Sequence, residues 1–455
     1  MKFVNKSILK MSTILIKNAT IINENKREIG DVLINKNRIE RIDQNININQ
    51  RYNEIDAEGL YLIPGLIDDQ VHFREPGLTH KGNIYSESMA AVAGGVTSFM
   101  EMPNTIPNAI TIQELEKKYD IGQQNSFGNY SFYLGASNDN IEEVKRLDRY
   151  NICGVKIFMG SSTGNMLVDR EKALNDIFRY SEVIITTHCE DEFTIQENLK
   201  GAKEKYGDEI PFNQHHIIRS REACYKSSSH AISLAQEHNA KLHVLHISTK
   251  EELELFQKIP LKDKKITCEA CLHHMWFSNK DYDKLGSLIK WNPAIKTSDD
   301  REAIIKAVNE GVIDVIATDH APHTKEEKSG KYINAPSGGP LIQYSLPVLL
   351  EMNRKNKISL EKIVEKTSNS VADLFQIKER GYIREGYFAD IVLFDLDSKT
   401  DVNKNNILSK CKWSPFEDTS FNSKVIHTIV SGNHIYKNGV INGEPSGLRM
   451  EFNRD

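Results

Sequence analysis

Hydrophobic and polar positions divide the chain into three zones. At the amino-terminal end, short segments of alternating polarity are separated by Asn, Lys and Gly, which is typical of a small β unit with turns. In the middle, apolar runs rich in β-branched residues alternate with helix-type stretches. Short β-type segments return towards the carboxyl end. We therefore predict a central domain at residues 64–374 and a small β-sandwich domain built from both chain ends, residues 1–63 and 375–455.

The central zone predicts eight strands that alternate with helices. The candidate strands are residues 65–72, 95–102, 130–136, 152–159, 182–188, 241–247, 265–270 and 312–318. Eight strand–helix alternations over about 300 residues favour a (β/α)8 barrel, the α/β architecture in which parallel strands close on themselves. The alternative is a doubly wound open sheet. It is disfavoured because no Gly-x-Gly-x-x-Gly turn follows the first strand.

Composition and charge are those of a globular protein and argue against two classes of partner. Of the 455 residues, 39% are hydrophobic and 27% are charged, which is ordinary for a globular chain. The net charge of −5 offers no attraction for nucleic acid or an anionic membrane, and no apolar run approaches the length of a membrane span. Six widely spread cysteines are typical of the reducing cytoplasm.

The two chain termini carry little structural signal. The first residues contain Lys2, Lys6 and Lys10 but no apolar core followed by a small-residue cleavage site. We interpret them as a short leader, with Met11 as a candidate start, and not as a signal peptide. The last residues, 442–455, are polar, and we expect them to be loosely held.

Chemically reactive side chains appear where the predicted strands end, which in a barrel is the active-site face. Gln70, His72 and Arg74 alternate on the first strand, so their side chains point to the same side. The other strand ends deliver Glu101 and Asn104, Lys156, His188, His246, and Asp319 with His320 and His323. A single histidine at a strand end is usually structural, but arrival at five ends is poorly explained by chance. Imidazole and carboxylate together fit a borderline metal such as zinc, which activates water for attack.

Lys156 is an unusual member of this set because a cationic ammonium is a poor metal ligand. It lies within the apolar strand segment 154–159. Desolvation there lowers the pKa of the ammonium, so the neutral amine could react with carbon dioxide. The resulting carbamate is an anion that bridges two metal ions. The alternative is a lysine whose head group reaches out to the barrel mouth.

Several motifs together resemble those of the dihydroorotases, a group of cyclic amidohydrolases. The resemblance covers about residues 13 to 440. The motifs are Pro64–Asp68, Val71–Gly77, Ala93–Thr97, Met102–Thr105, Val155–Phe158, His188–Asp191, His246–Thr249, Asn292–Pro293, Thr318–His323 and Gly386–Asp390. As a set they are highly specific for the superfamily and less specific for the substrate.

The resemblance implies the reversible hydrolysis of dihydroorotate to carbamoyl aspartate in pyrimidine synthesis. It implies one or two zinc ions, held by His72, Lys156 as its carbamate, His188, His246 and Asp319. Asp319 would also be the general acid and base. The substrate carboxylate would bind Arg74, Asn104 and His323, while Asn292 lines the ring site and Ser337 and Gly338 belong to a covering loop. A homodimer is the corresponding expectation for assembly.

Three positions depart from the family pattern. Gln70 stands where the family has the first histidine of His-x-His, and a neutral amide oxygen is a weaker ligand than imidazole. Gln70 is therefore a weak sixth ligand candidate, or it hydrogen-bonds Asp319 or a water. Segment 160–164 lacks the bridging acid of some relatives, so Lys156 remains the bridge candidate. Gln343 stands where the family commonly has a glutamate, and the sequence does not indicate the consequence.

Two other functions and one other metal site remain open. A related cyclic amidase would act on hydantoin, allantoin or a dihydropyrimidine, but Arg74 favours a substrate that carries a carboxylate. A catalytically silent partner subunit is disfavoured because most of the ligand set is present. A separate structural zinc at Cys268, Cys271, His273 and His274 is a weaker hypothesis.

Overall fold

The computed structural model describes residues 13–49, 51–160 and 166–454. The candidate start Met11 and residues 161–164 of the acid-free segment lie outside these ranges. Within the described ranges, none of the helices combines the length and the apolar character that crossing a bilayer requires.

The described residues form twenty strands and fourteen α-helices. The strands are β1 (Ile14–Asn23), β2 (Lys26–Asn35), β3 (Arg38–Asp43), β4 (Asn53–Asp56), β5 (Tyr61–Pro64), β6 (Leu66–Val71), β7 (Val96–Glu101), β8 (Asn129–Phe132), β9 (Leu134–Gly135), β10 (Val155–Phe158), β11 (Ile185–His188), β12 (Leu242–Val244), β13 (Ile266–Cys271), β14 (Val315–Ala317), β15 (Ile391–Asp395), β16 (Thr400–Asp401), β17 (Ser420–Phe421), β18 (Lys424–Val430), β19 (Asn433–Lys437) and β20 (Val440–Ile441).

The α-helices are α1 (Ile84–Ala93), α2 (Ile112–Asn125), α3 (Ile141–Lys145), α4 (Glu171–Tyr180), α5 (Glu192–Tyr206), α6 (His215–Ile218), α7 (Arg221–His238), α8 (Leu272–Trp276), α9 (Tyr282–Leu285), α10 (Ser298–Glu310), α11 (Lys325–Lys328), α12 (Ser345–Arg354), α13 (Leu360–Val364) and α14 (Ser370–Phe375). Short 3-10 turns lie at Phe212–Gln214, Glu252–Leu255, Leu261–Asp263, Asn279–Asp281, Gly286–Ile289 and Ile342–Tyr344, and a π-helical turn at Glu365–Asn369 joins α13 to α14.

The central strands form the predicted (β/α)8 barrel. Strands β6, β7 and β8 pair in parallel, as do β9 to β14, and only Tyr133 separates β8 from β9. The ring closes between the first and last strands, where Val71 bridges His320 in parallel and the His72 amide donates to the His320 carbonyl at 2.7 Å. All eight predicted strands are present in the predicted order, so the barrel expectation is confirmed.

The two chain ends meet in one mixed sheet of nine strands. Its order is β20-β19-β18-β15-β5-β1-β2-β3, with β4 paired to β1. The ends join where β5 and β15 run antiparallel and Ile391 pairs with Pro64. Alternation along β5 buries Leu62 in the core of the small domain and Ile63 in the core of the barrel. Strand β5 is therefore buried on both faces, and it leads directly into the first barrel strand.

The expectation of a loosely held carboxyl end is wrong. Met450 and Phe452 are buried in a cluster with residues of the barrel interior, including Ile67. The Met450 amide donates to the Tyr130 carbonyl at 2.9 Å, so the backbone is also anchored. Arg454 is buried too and donates to the carbonyls of Arg149, Ile152, Cys153 and Phe375. Two apolar side chains and one multidentate guanidinium hold an otherwise polar tail against the barrel.

We predict that Arg454→Met destabilises the protein by about 2–3 kcal/mol, because it strands several buried carbonyls without a donor. The measurement is a urea or thermal unfolding curve. The matched control is Glu451→Gln, which removes an exposed ion pair with Lys378 and should cost less than about 1 kcal/mol. Equal unfolding midpoints for the two variants would refute the anchoring role of Arg454.

Candidate active site

A cavity of about 280 Å³ opens at the carboxyl end of the barrel strands. All twelve residues that the sequence analysis assigned to the site line it: Gln70, His72, Arg74, Asn104, Lys156, His188, His246, Asn292, Asp319, His323, Ser337 and Gly338. They come from six of the eight barrel strands or the segments that follow those strands, and from loops near the last two strands. The fold thus brings together residues that are up to 268 positions apart, from Gln70 to Gly338.

His72 and Asp319 form the first contacting pair of candidate ligands. The ring nitrogen Nδ1 of His72 lies 2.8 Å from Asn104 Oδ1, an acceptor, so this nitrogen carries the proton. Its Nε2 is then left with a lone pair and lies 3.3 Å from Asp319 Oδ1. Gln70 Nε2 donates to the same Asp319 oxygen at 3.3 Å. Gln70 was expected to be either a weak metal ligand or a hydrogen-bond partner of Asp319 or a water. The contact that the structure contains is the hydrogen bond to Asp319.

His188 and His246 form the second pair. His188 Nδ1 and His246 Nε2 are 3.0 Å apart, and His246 Nδ1 has no hydrogen-bond partner among the described residues. Burial lowers the pKa of both imidazoles, that of His246 well below its ordinary value. The neutral form, which burial favours, is the form that binds metals. The backbone of His246 has a φ of 41°, and its amide donates to Glu269 Oε1 at 2.9 Å, which holds the ring at this turn.

Lys156 lies in the barrel wall and interacts electrostatically with both pairs. Its side chain is only 1% exposed, and Nζ finds no hydrogen-bond acceptor in the described part of the chain. The alternative of a head group that reaches out to solvent is therefore wrong. Burial lowers the pKa of Lys156 to about 8. A sizeable fraction of the amine is consequently neutral near physiological pH.

The candidate ligands form two pairs and not one tight cluster. Among the described residues, no three donor atoms of His72, His188, His246 and Asp319 lie within 4.8 Å of one another. Lys156 interacts with Asp319 on one side and with both imidazoles of the other pair. The unpartnered Lys156 Nζ and His246 Nδ1 leave buried donor atoms in this region. Imidazole and carboxylate are the ligands that zinc accepts, so the residues present fit such an ion.

The cavity also carries a cation, Arg74, which interacts electrostatically with His72 and Asp319. Arg74 is buried, and its Nε donates to the Pro322 carbonyl at 3.0 Å, while Nη2 lies 3.0 Å from His323 Nε2. Burial lowers the pKa of Arg74 to about 10, which leaves the guanidinium charged at neutral pH. Lys81 Nζ contacts the far side of the His323 ring at 3.1 Å. A buried guanidinium at the edge of a cavity is a binding group for a carboxylate.

Sequence reasoning missed five cavity residues, Phe158, Arg219, Trp291, Ala321 and Pro336. Arg219 follows α6, far from any strand end, so no local signal marks it. It pairs with Glu190, whose Oε2 lies 3.0 Å from His188 Nε2. Burial raises the pKa of Glu190, but Arg219 and His188 outweigh it and bring this pKa to about 2. The pair Arg219–Glu190 thus supports His188 from outside the ligand set.

The candidates of the separate zinc site and Gln343 lie outside the lining of the cavity. Among the described residues, the four candidates of the separate zinc site do not belong to any cluster of three metal-binding groups. Cys268 Sγ lies against the Val312 carbonyl, and His274 Nε2 donates to the Pro293 carbonyl at 3.1 Å. Gln343 bonds the backbone of Asn406 and Leu408 and does not line the cavity.

Comparison of the sequence with known families and proteins, and comparison of the fold with solved structures, agree with each other. Residues 61–435 match the model of the amidohydrolase family. Dihydroorotases from Methanosarcina mazei and Methanosarcina acetivorans are both 32% identical, over 96% and 97% of this chain and 96% and 95% of their own. The solved L-hydantoinase (dihydropyrimidinase) from Arthrobacter aurescens superposes with a TM-score of 0.90 at 25% identity, covering 95% of this chain and 98% of its own. With a barrel of this architecture and a family match over most of its length, the chain belongs to the amidohydrolase family.

Proposed function

We propose that the protein is a dihydroorotase, which reversibly hydrolyses the ring of dihydroorotate to carbamoyl aspartate in pyrimidine synthesis. One observation carries the choice of substrate: the charged Arg74 is buried in the same cavity as the candidate metal ligands. Dihydroorotate combines a cyclic amide with a carboxylate, so one molecule offers a partner both to the candidate metal ligands and to Arg74. The dihydroorotase relatives, similar over nearly the whole chain, support the same substrate.

His72 and Asp319 on one side, and His188 and His246 on the other, would hold one or two zinc ions, with Lys156 between them as its carbamate. Such an ion supplies a Lewis acid that polarises the ring carbonyl and makes water a nucleophile at neutral pH. Gln70 donates a hydrogen bond to Asp319, so it contributes through that carboxylate.

The environment of Lys156 favours carbamate formation. The neutral amine nitrogen attacks the carbon of carbon dioxide, a C–N bond forms, and one proton leaves to solvent. The pKa of about 8 provides neutral amine, and the buried Nζ has no competing acceptor among the described residues. The product is an anion in place of a cation, which turns Lys156 into an oxygen ligand of the type that zinc accepts.

Asp319 is the best-placed group for proton transfer. Its backbone has a φ of 48°, and its carbonyl accepts from Trp291 Nε1 at 3.3 Å, which fixes the turn that presents the carboxylate. In hydrolysis, this carboxylate takes a proton from the attacking water as the C–O bond forms. It then delivers the proton to the ring nitrogen as the amide C–N bond breaks.

Arg74 and His323 would bind the substrate carboxylate, with Asn104 next to them. A neutral ring such as hydantoin offers no anion to the guanidinium, so it forms no charge-assisted hydrogen bond there. The geometry therefore favours the carboxylate-bearing ring over the neutral rings that related cyclic amidases accept.

Two buried lysines hold the loop that carries Ser337 and Gly338. Lys290 Nζ donates to the carbonyls of Tyr332 and Ala335 at 2.7 and 2.6 Å. Lys328 Nζ donates to those of Pro336 and Gly338, both at 2.8 Å. Gly338 has a φ of 121°, and a Cβ there would lie 2.6 Å from the Ala321 carbonyl oxygen, so only glycine fits. The loop is thus built to keep one position over the carboxylate-binding side.

The proposal is tested by giving the zinc-loaded protein dihydroorotate, hydantoin and dihydrouracil in parallel. We expect turnover of dihydroorotate and, in the reverse direction, of carbamoyl aspartate. Asp319→Asn, which keeps the shape but loses the basic carboxylate, should lower kcat by at least about 100-fold. Turnover of the neutral rings alone would make the protein a different cyclic amidase. No turnover of any of the three would favour the catalytically silent subunit.

We predict that Arg74→Met raises the KM for dihydroorotate by roughly 30-fold or more, because a buried charge partner of the carboxylate is lost. Steady-state kinetics measure the effect. The control is Arg170→Met, which removes an exposed arginine from a surface ion pair with Asp139. An unchanged KM in Arg74→Met would remove the basis for the choice of substrate.

We predict that Lys328→Met lowers kcat/KM for dihydroorotate by roughly 10-fold, since two loop carbonyls lose their donor. Lys325→Met, an exposed position of the same helix, is the control. Lys328→Arg should recover part of the loss because it restores a donor. If all three variants match the parent protein, the lysines do not position the loop.

A further inference from the structure

A second group of side chains of the types that bind metals lies inside the barrel, outside the lining of the active-site cavity. It consists of Asp69 on β6, His243 on β12 and Glu269 on β13, each with 0% exposure. Asp69 precedes Gln70 and His72, and His243 precedes His246, so the group is deeper in the barrel than the cavity residues of the same strands. In the part of the chain that the structure describes, it is the one set of three His, Cys, Asp or Glu donors within 4.8 Å of one another.

Four polar atoms point into this group without a hydrogen-bond partner among the described residues. They are both carboxylate oxygens of Asp69, Nε2 of His243 and Oε2 of Glu269. Buried polar atoms are almost always paired, because each unpaired one keeps the full cost of its lost hydration. Four orphaned atoms from three different strands, all converging on one point, indicate a ligand that they share.

Hydrogen bonds from outside the group orient His243 and Glu269, as hydrogen bonds behind the ligands of a metal site do. His243 Nδ1 lies 2.8 Å from Thr267 Oγ1, which fixes the ring and directs Nε2 inward. Glu269 Oε1 accepts from the His246 amide and from Cys271 Sγ, at 2.9 and 3.0 Å, so that only Oε2 faces the group. His243 and Glu269 therefore each present one unused donor atom to the centre, and Asp69 presents two.

The charges and distances fit a cation. Asp69 and Glu269 are two fully buried carboxyl groups, and Lys156, a cation that interacts with Glu269, would lose its positive charge as the proposed carbamate. His243 Nε2 lies 3.3 Å from Asp69 Oδ2 and 4.0 Å from Glu269 Oε2. Ligands of tetrahedral zinc with bonds of 2.0–2.2 Å lie about 3.3–3.6 Å apart. The distance from His243 to Asp69 lies in this range. A shift of well under 1 Å in Glu269 would bring the distance from His243 to Glu269 into it as well.

We propose that Asp69, His243 and Glu269 bind a divalent transition-metal ion of the zinc class, as a structural site separate from the active centre. The second oxygen of Asp69 is available for a bidentate contact. The ion ties together three strands, two of which carry His72 and His246 at their ends, and so it holds the floor of the active-site cavity. This inference does not depend on the proposed substrate.

The first test locates the ion in the unaltered protein. Crystals of the protein purified with zinc are measured at the zinc absorption edge, and an anomalous map is computed. We expect a peak between His243 Nε2 and Asp69 Oδ2, in addition to density near His188 and His246. The absence of a peak at Asp69 would overturn the proposal, and it would indicate that an imidazolium shared between two carboxylates fills this role.

The second test counts ions by mass spectrometry after dialysis against metal-free buffer. The variant Asp69→Asn/Glu269→Gln keeps the side-chain shapes and should bind one ion fewer per chain than the parent protein. The control Asp397→Asn/Glu28→Gln makes the same two exchanges at exposed acids of the small domain and should leave the count unchanged. An unchanged count in folded Asp69→Asn/Glu269→Gln would overturn the proposal. Both readouts are independent of turnover, so failure of the dihydroorotase proposal and failure of this one are distinguishable.

Discussion

Closure of the parallel barrel is the constraint on which the rest of the structure depends. The last contact of the ring joins Val71 of the first strand to His320 beyond the last, with a backbone hydrogen bond of 2.7 Å. This contact places His72 beside Asp319, although 247 positions separate them in the chain. Without it, the first and last strands would be edges of an open sheet, and the first pair of candidate ligands would not exist.

Burial then sets the chemistry of the groups that the barrel has brought together. Loss of water lowers the pKa of Lys156 to about 8 and favours the neutral form of His188 and His246. Burial also lowers the pKa of Arg74, but the guanidinium stays charged because its ordinary pKa is much higher. One small cavity therefore contains both neutral donors and a permanent cation. That combination matches a ring with a reactive amide at one end and a carboxylate at the other.

The carboxyl-terminal residues of the chain cover the end of the barrel that lies away from the active-site cavity. Met450 and Phe452 share a cluster with Ile67 of the barrel interior, and Arg454 saturates carbonyls from segments 149–153 and 375. The small domain in turn shares β5 with the entry to the first barrel strand. The barrel interior, with its Asp69–His243–Glu269 group, is consequently closed off from solvent.

The sequence by itself determined the eight strands, their order and the residues at their ends. Periodicity and apolar runs record which face of each element is buried, and that is a local property. Only the tertiary structure decided that Gln70 donates to Asp319, that Arg219 supports His188, that the polar tail is anchored, and that Asp69, His243 and Glu269 meet. Each of these is a contact between residues distant in the chain, and no local pattern encodes the partner across a closed barrel.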